Sequence, residues 1–278
     1  MRRLSRRGGI HSGDVFDLTA SAIGMYSVSR RLDPAYSASL IRIRRSLDNN
    51  ELDVGFDGVG NLDTAAILAF TGTGPTDQAW ITTVYSQNLF QPNLVQATFS
   101  LQPGIVDVGA ILTSSTGKPC ARFDGSMGLQ TTNFTGLLAQ PNTLWWVGSL
   151  DTWVIARGIM DGNDLTNRNA LITAGVTPRI DQFAGSSVNA NTGLSIGTAA
   201  IVSAGFNGAS SFTRVDNNAK VTGGNPGAAG IDGLTVGANA ILGAGTIQSF
   251  HEAFVINTVS TPDEDGRLDN INAYYGIY

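Results

Sequence analysis

From about residue 105 onward the chain is cut into short segments rich in β-branched and aromatic residues, separated by clusters of Gly, Asn and Asp. The segments are Ile105–Leu112, Ala121–Asp124, Thr143–Ser149, Trp153–Ile159, Ala170–Val176, Leu194–Ala204, Ser211–Val215, Gly233–Val236 and Ser249–Asn257. No long helical pattern lies between them, so βαβ units and a parallel sheet are excluded and a sandwich or jelly roll is expected. The 34 glycines among 278 residues fit many tight turns, and 42% hydrophobic residues suffice for one large core. Gly223-Gly224-Asn225-Pro226-Gly227 reads as a loop, and no internal repeat is evident.

The N-terminal part is more mixed. Residues 1–18 carry no sustained periodicity and read as an arm; Thr19–Arg31 suggests a helix, with Ile23 and Tyr26 on one side and Asp33-Pro34 as its stop. Leu40-Ile41-Arg42-Ile43-Arg44 alternates, which puts Ile41 and Ile43 on a core face and both arginines on the outer one. Val54–Phe56 and Ala79–Tyr85 are further strands, and Asp63 caps a short apolar helix through Phe70. At the other end Thr261-Pro262-Asp263-Glu264 has capping-box spacing, and Leu268, Ile271 and Tyr275 follow at helical intervals until Gly276.

The net charge of -5 is unevenly spread: Arg2, Arg3, Arg6 and Arg7 occupy the first seven residues, and all the acidic residues lie beyond them. The acidic body argues against nucleic acid as a partner, while the basic arm could contact an acidic protein surface or simply be solvated. Cys120 is the sole cysteine, which excludes an internal disulfide. There is no signal-peptide apolar stretch and no run of 18 apolar residues, so the expectation is a chain made in the cytoplasm that does not insert into a membrane.

Two stretches resemble known families. Tyr36–Phe56 followed by Asp63-Thr64-Ala65-Ala66, within residues 26–85, resembles a module shared by phage structural proteins and the catalytic domain of α-L-arabinofuranosidase B. Residues 121–278 resemble laminin G-like, concanavalin A-like domains, through Arg122–Gly125, Leu234–Gly237, the Glu-bearing Phe250–Ile256 and the terminal Tyr275–Ile277. The resemblance implies an all-β, concanavalin A-like antiparallel β-sandwich (jelly roll), with a few short peripheral helices and an N-terminal arm. Residues 1–18 would be the arm and 19–278 the domain, divided into an arabinofuranosidase-B-like 19–105 and a laminin G-like 106–278. One departure bears on activity: where the enzyme module reads Tyr-Asp-Gln-Ser-Gly, this chain reads Tyr85-Ser86-Gln87-Asn88-Leu89, and the enzyme's paired cysteines are absent.

A glycosidase needs two carboxylates held in different protonation states. Among three glutamates, Glu51 lies in a turn, Glu264 is accounted for by capping, and Glu252 shares a strand face with Phe250, Phe254 and Ile256. The last is read as a structural hydrogen-bonding group. Asp161-Gly162-Asn163-Asp164 offers oxygen ligands of the kind calcium takes, but lacks the EF-hand pattern and reads as an Asx-rich turn. His11 and His251 are too few for a zinc site or a triad, and neither Gly72-x-Gly74 nor Gly117-Lys118-Pro119 is a phosphate loop. Trp145, Trp146 and Trp153 could stack sugars, though alternation points Trp145 and Trp146 to opposite faces and core packing is favoured.

The expectation is therefore a non-catalytic bacteriophage virion structural protein, with no catalytic, cofactor or metal residues and no cofactor. It would be homo-oligomeric and contact other virion proteins through its arm, with a host-surface glycan as its candidate ligand. The alternative is a glycoside hydrolase or polysaccharide depolymerase of arabinofuranosidase type; a stand-alone lectin is a third reading.

Overall fold

The structure is a computed structural model and describes residues 22–176, 178–190, 193–259 and 261–278. In chain order its strands are β1 (Ala22–Ser27), β2 (Ile41–Arg45), β3 (Glu51–Val54), β4 (Ala79–Val84), β5 (Leu94–Val95), β6 (Gly104–Asp107), β7 (Ala110–Ile111), β8 (Ala121–Asp124) and β9 (Leu129–Gln130). They continue as β10 (Asn142–Leu150), β11 (Gly158–Asp161), β12 (Ala170–Ala174), β13 (Arg179–Phe183), β14 (Ser187–Ala190), β15 (Ala200–Phe206), β16 (Phe212–Val215), β17 (Val221–Thr222), β18 (Thr235–Val236) and β19 (Ile247–Ile256). Two α-helices, α1 (Thr64–Thr71) and α2 (Thr261–Tyr275), complete it.

The ladders between these strands are antiparallel, as the all-β sandwich requires. One sheet runs β17-β16-β15-β10-β19-β1, with the ten-residue β19 and nine-residue β10 at its centre. The other runs β3-β2-β4-β5-β9-β18-β11-β12-β13-β14. β6 and β8 join the two by pairing β4 to β19.

Period-two alternation explains the layering. Tyr26, Leu144, Trp146, Val202 and Val255 enter the main core between the sheets, whereas Met25, Trp145, Ile201, Phe254 and Ile256 face the other way, onto Leu268, Ile271 and Tyr275 of α2. The central sheet is thus apolar on both sides where α2 packs, which is why Leu144–Val147 of β10 and Ala253–Ile256 of β19 read as continuous apolar runs. Both Trp145 and Trp146 are buried, on opposite faces, and Trp153 is half-buried with its Nε1 donating to Gly175 O at 3.1 Å.

Local chemistry explains most element boundaries. Asp63 accepts from Ala66 N at 3.0 Å and caps α1, as its position before an apolar run predicts. The expected helix at Thr19–Arg31 is instead β1 over its described part: Ala22–Ser27 alternates between the core and α2, and its pairing with β19 outweighs the weak helical spacing. Gly24 is needed there, because a Cβ would meet the Tyr26 ring at 2.9 Å. The β13–β14 hairpin was not evident from the sequence, since polar Asp181 and Gln182 break its apolar pattern. They are buried in the sheet, where Asp181 accepts from Arg179 and Gln182 donates to Gly205 O. Residues 1–18, the expected arm, lie outside the described residues. Among those described, no helix is long and apolar enough to cross a membrane.

Candidate carboxylate site

Glu252 is wholly buried in β19. Its carboxylate receives Arg30 Nε at 2.7 Å and Nη2 at 3.3 Å, with Tyr275 Oη donating at 2.7 Å. Arg30 in turn donates to Asn270 at 3.1 Å and lies 4.3 Å from the Tyr274 ring centroid. This cluster ties β1, β19 and α2 together and presents nothing to a substrate. Neighbouring His251 is also buried: Nδ1 lies 2.8 Å from Pro119 O and Nε2 2.7 Å from Ser114 Oγ, so Nδ1–H donates to the carbonyl and Nε2 accepts from the serine. Burial lowers its pKa to about 4 and keeps it neutral.

Glu264 does more than begin a helix. It is buried, accepts from Ser203 Oγ at 2.8 Å and pairs with Lys220, so it anchors α2 to β15. Gly74 N donates to Asp77 at 2.7 Å, which makes the Gly72-x-Gly74 segment a closed turn. Lys118 lies over Tyr274, 4.2 Å from the ring centroid. Cys120 is buried, and that burial pushes its thiol up to about 11, away from nucleophilic use. His11 lies outside the described residues.

The Asp161–Asp164 turn leads to a different set of groups. Both Asp161 oxygens receive Arg168, and they also accept from Gly162 N and Ala240 N, so this carboxylate is fully used. Asp164 Oδ1 accepts from the backbone N–H groups of Thr166 at 2.6 Å and Asn167 at 2.7 Å. The turn packs beside Asp232, just before β18, whose Oδ2 accepts from Asn167 Nδ2 at 3.0 Å and Asn133 Nδ2 at 3.3 Å. Asn133 Oδ1 then accepts from Asn163 Nδ2 at 2.9 Å, closing a cluster drawn from the segments after β9, after β11 and before β18.

Two oxygens in this cluster, Asp232 Oδ1 and Asn163 Oδ1, are buried without a protein partner. Leaving a buried acceptor unpaired costs about 1–3 kcal/mol, so such atoms mark a place where a ligand or water belongs. Asp232 is only 7% exposed; burial first, and the Asp164 charge second, raise its pKa. Close packing holds the arrangement: a Cβ on Gly233 would fall 2.2 Å from the Asn163 side-chain carbon. Gln130 Nε2 shares its two hydrogens among Ala240 O, Thr235 Oγ1 and Asn163 O, at 2.7, 2.9 and 3.2 Å, joining the Asn163 turn to the loop after β18. Sequence reasoning found the Asp161–Asp164 turn but not Asp232, Asn133 or Asn167. Each stands in a segment that reads only as turn chemistry, and nothing local signals that the three segments converge.

No protein-family model matches the chain, and no curated protein sequence does. Solved structures do. A GH54 α-L-arabinofuranosidase soaked with a cyclic sulfate inhibitor is similar over 91% of this chain, with a TM-score of 0.69 and 15% identity. An arabinofuranosidase complexed with arabinofuranosyl-α-1,2-xylobiose is similar over the same share, with a TM-score of 0.70 and 17% identity. The match takes in 63% of each of those chains, so this chain corresponds to part of their length. The chain therefore has a glycoside-hydrolase-like β-sandwich fold.

This corrects the expectation of a non-catalytic virion protein. The fold is shared over nine-tenths of the chain with glycoside hydrolases, and nothing in the matches points to a phage origin or a virion role. The expectation that the chain is not an enzyme is overturned by the same matches. The carboxylate with a raised pKa and an unpartnered oxygen stands at Asp232.

Proposed function

We propose that this chain is a glycoside hydrolase acting on arabinofuranosyl-containing glycans, with Asp232 as proton donor and Asp164 as the second carboxylate. The observation that carries the reading is the Asp232 carboxyl: buried, raised in pKa by burial and by Asp164, and with one oxygen left without a protein partner. Glycoside cleavage needs one carboxyl group that gives a proton and a second that takes one, and a raised pKa suits Asp232 to the first part. The amides of Asn133, Asn163 and Asn167 are suited to sugar hydroxyls, and Asn163 Oδ1 is unpaired. The arabinofuranosyl class is taken from the proteins that share the fold.

In this reading Asp232 gives its proton to the glycosidic oxygen as the bond from that oxygen to the anomeric carbon breaks. Water adds to the anomeric carbon and its proton passes to Asp164, so the products are the free sugar and the shortened glycan. The test is hydrolysis of 4-nitrophenyl α-L-arabinofuranoside by the full chain, followed by its Asp232→Asn and Asp164→Asn variants. Release of nitrophenol that both substitutions reduce 100-fold or more supports the assignment; no release, or release that neither substitution changes, defeats it.

A further inference from the structure

One row of directly paired residues crosses the second sheet. Asp53 of β3 stands opposite Arg42 of β2, Arg42 opposite Thr83 of β4, Thr83 opposite Val95 of β5, and Val95 opposite Gln130 of β9. Directly opposed residues on neighbouring strands put their side chains on the same face. The register then carries the row to Thr235 of β18 and Asp161 of β11. Its two ends differ. Thr235 and Asp161 are fully buried, and Gln130 and Asp161 are bonded to the Asn163 turn and the Ala240 loop above them. At the other end Asp53 and Val95 are exposed, Val95 by 44%, Arg42 is half-buried, and Thr83 lies buried between Arg42 and Val95.

A cleft of about 310 Å³ lies along this end of the row, lined by Arg42, Glu51, Thr83, Val95, Gln96 and Phe99. Its polar groups are already fixed. Arg42 Nε and Nη2 each donate to Asp53 at 2.8 Å, and Tyr85 Oη donates to the same carboxylate at 2.6 Å. Arg44 is held between Phe99 and Trp80, 4.2 and 4.6 Å from their ring centroids, and donates to Gln102. Phe99 is 55% exposed, with one face on the guanidinium and the other available. Arg42 pairs with both Glu51 and Asp53, and Arg44 adds a second positive charge nearby, so the formal charges cancel and favour neither phosphate nor cation.

We infer that this cleft binds a linear neutral oligosaccharide, on the sheet whose buried far end carries the Asp232 cluster. Preset planar donors and acceptors beside an exposed aromatic ring match sugar hydroxyls and a sugar face, and side chains already held in place lose little freedom on binding. Three strand spacings of about 4.8 Å separate Asp53 from Val95, roughly 14 Å, which suits a short chain of sugar rings rather than one. Coupling of the cleft to cleavage rests on the reading of Asp232 as the site of cleavage; binding in the cleft does not.

The test is calorimetric titration of the full-length Asp232→Asn protein with linear xylo-oligosaccharides and α-1,5-arabino-oligosaccharides of two to six units. Affinity for one series rises at least tenfold between the dimer and the pentamer, and Arg42→Ala removes that gain. Val95→Trp, at an exposed position where the fold is not strained, fills the cleft and removes it independently. In the active protein the same two substitutions lower kcat/KM on the pentamer about tenfold relative to the aryl monoglycoside. Affinity independent of length, absence of binding at millimolar oligosaccharide, or a length-dependent gain that survives both substitutions overturns the inference. Length-dependent binding through Arg42 without hydrolysis of any arabinofuranoside upholds the cleft and refutes the catalytic role of Asp232.

Discussion

Replacing Glu252 by Gln tests the division between framework and site. Arg30 is fully buried, and Glu252 is its charged partner at 2.7 Å. An amide of the same shape fills the space but leaves the guanidinium without a counter-charge, a change that costs about 3–5 kcal/mol when one member of a buried pair is lost. The Tyr275 hydroxyl would also donate to a neutral acceptor instead of a carboxylate, a weaker bond. Against a total stability on the order of 5–15 kcal/mol, the substitution removes a large share. Urea unfolding followed by tryptophan fluorescence measures it, since Trp145 packs in the cluster beneath α2. Arg30→Met combined with Glu252→Leu removes both charges and should recover part of the loss, because an apolar pair needs no desolvation. At a temperature where Glu252→Gln remains folded, its kcat/KM equals that of the parent chain. A loss below about 1 kcal/mol, or a double variant no more stable than the single one, would refute the clamp.

His251 gives a pH signature. Its folded pKa of about 4 lies below the unfolded value near 6.5, so stability is full above pH 6.5 and falls as pH drops toward 4, by roughly 3 kcal/mol in all; His251→Gln should flatten that part of a stability–pH curve. Asp232 acts in the opposite sense: its pKa is raised on folding, so its contribution is full below the unfolded value near 3.9 and is lost as pH rises through the folded value. Asp232→Asn should therefore raise the unfolding midpoint at pH 7 and leave it unchanged at pH 3, as thermal scans at the two pH values would show. Gly233→Ala forces the Asn163 amide aside, since the new Cβ would sit 2.2 Å from its side-chain carbon. It should lower kcat/KM tenfold or more with a smaller effect on melting temperature, and equal activity would show that Asn163 plays no part in the site.

Much of the fold is visible in the sequence where alternation and turn chemistry agree. Ile41 and Ile43 do enter the core, and the outward arginines are covered by Asp53, Glu51 and the rings of Trp80 and Phe99. β1 is misread because six residues containing a glycine fit helical and strand periods equally well, and only the partner strand β19, more than two hundred residues away, decides between them. The site is hardest to read for a related reason. Asp232, Asn133, Asn163 and Asn167 look like ordinary loop residues, and what distinguishes Asp232 is burial and the nearness of Asp164, both products of tertiary packing. Counting glutamates directs attention to Glu252, which the fold uses for Arg30.

The most direct test of the account is the dependence of cleavage rate on the leaving group, measured with a series of aryl α-L-arabinofuranosides for the parent chain and Asp232→Asn. If Asp232 protonates the departing oxygen, the variant loses 100-fold or more on poor leaving groups, loses little on the most acidic phenols, and no longer shows the fall in rate at high pH that deprotonation of this carboxyl causes. Equal losses across the series, or a high-pH limb that persists in the variant, would contradict it.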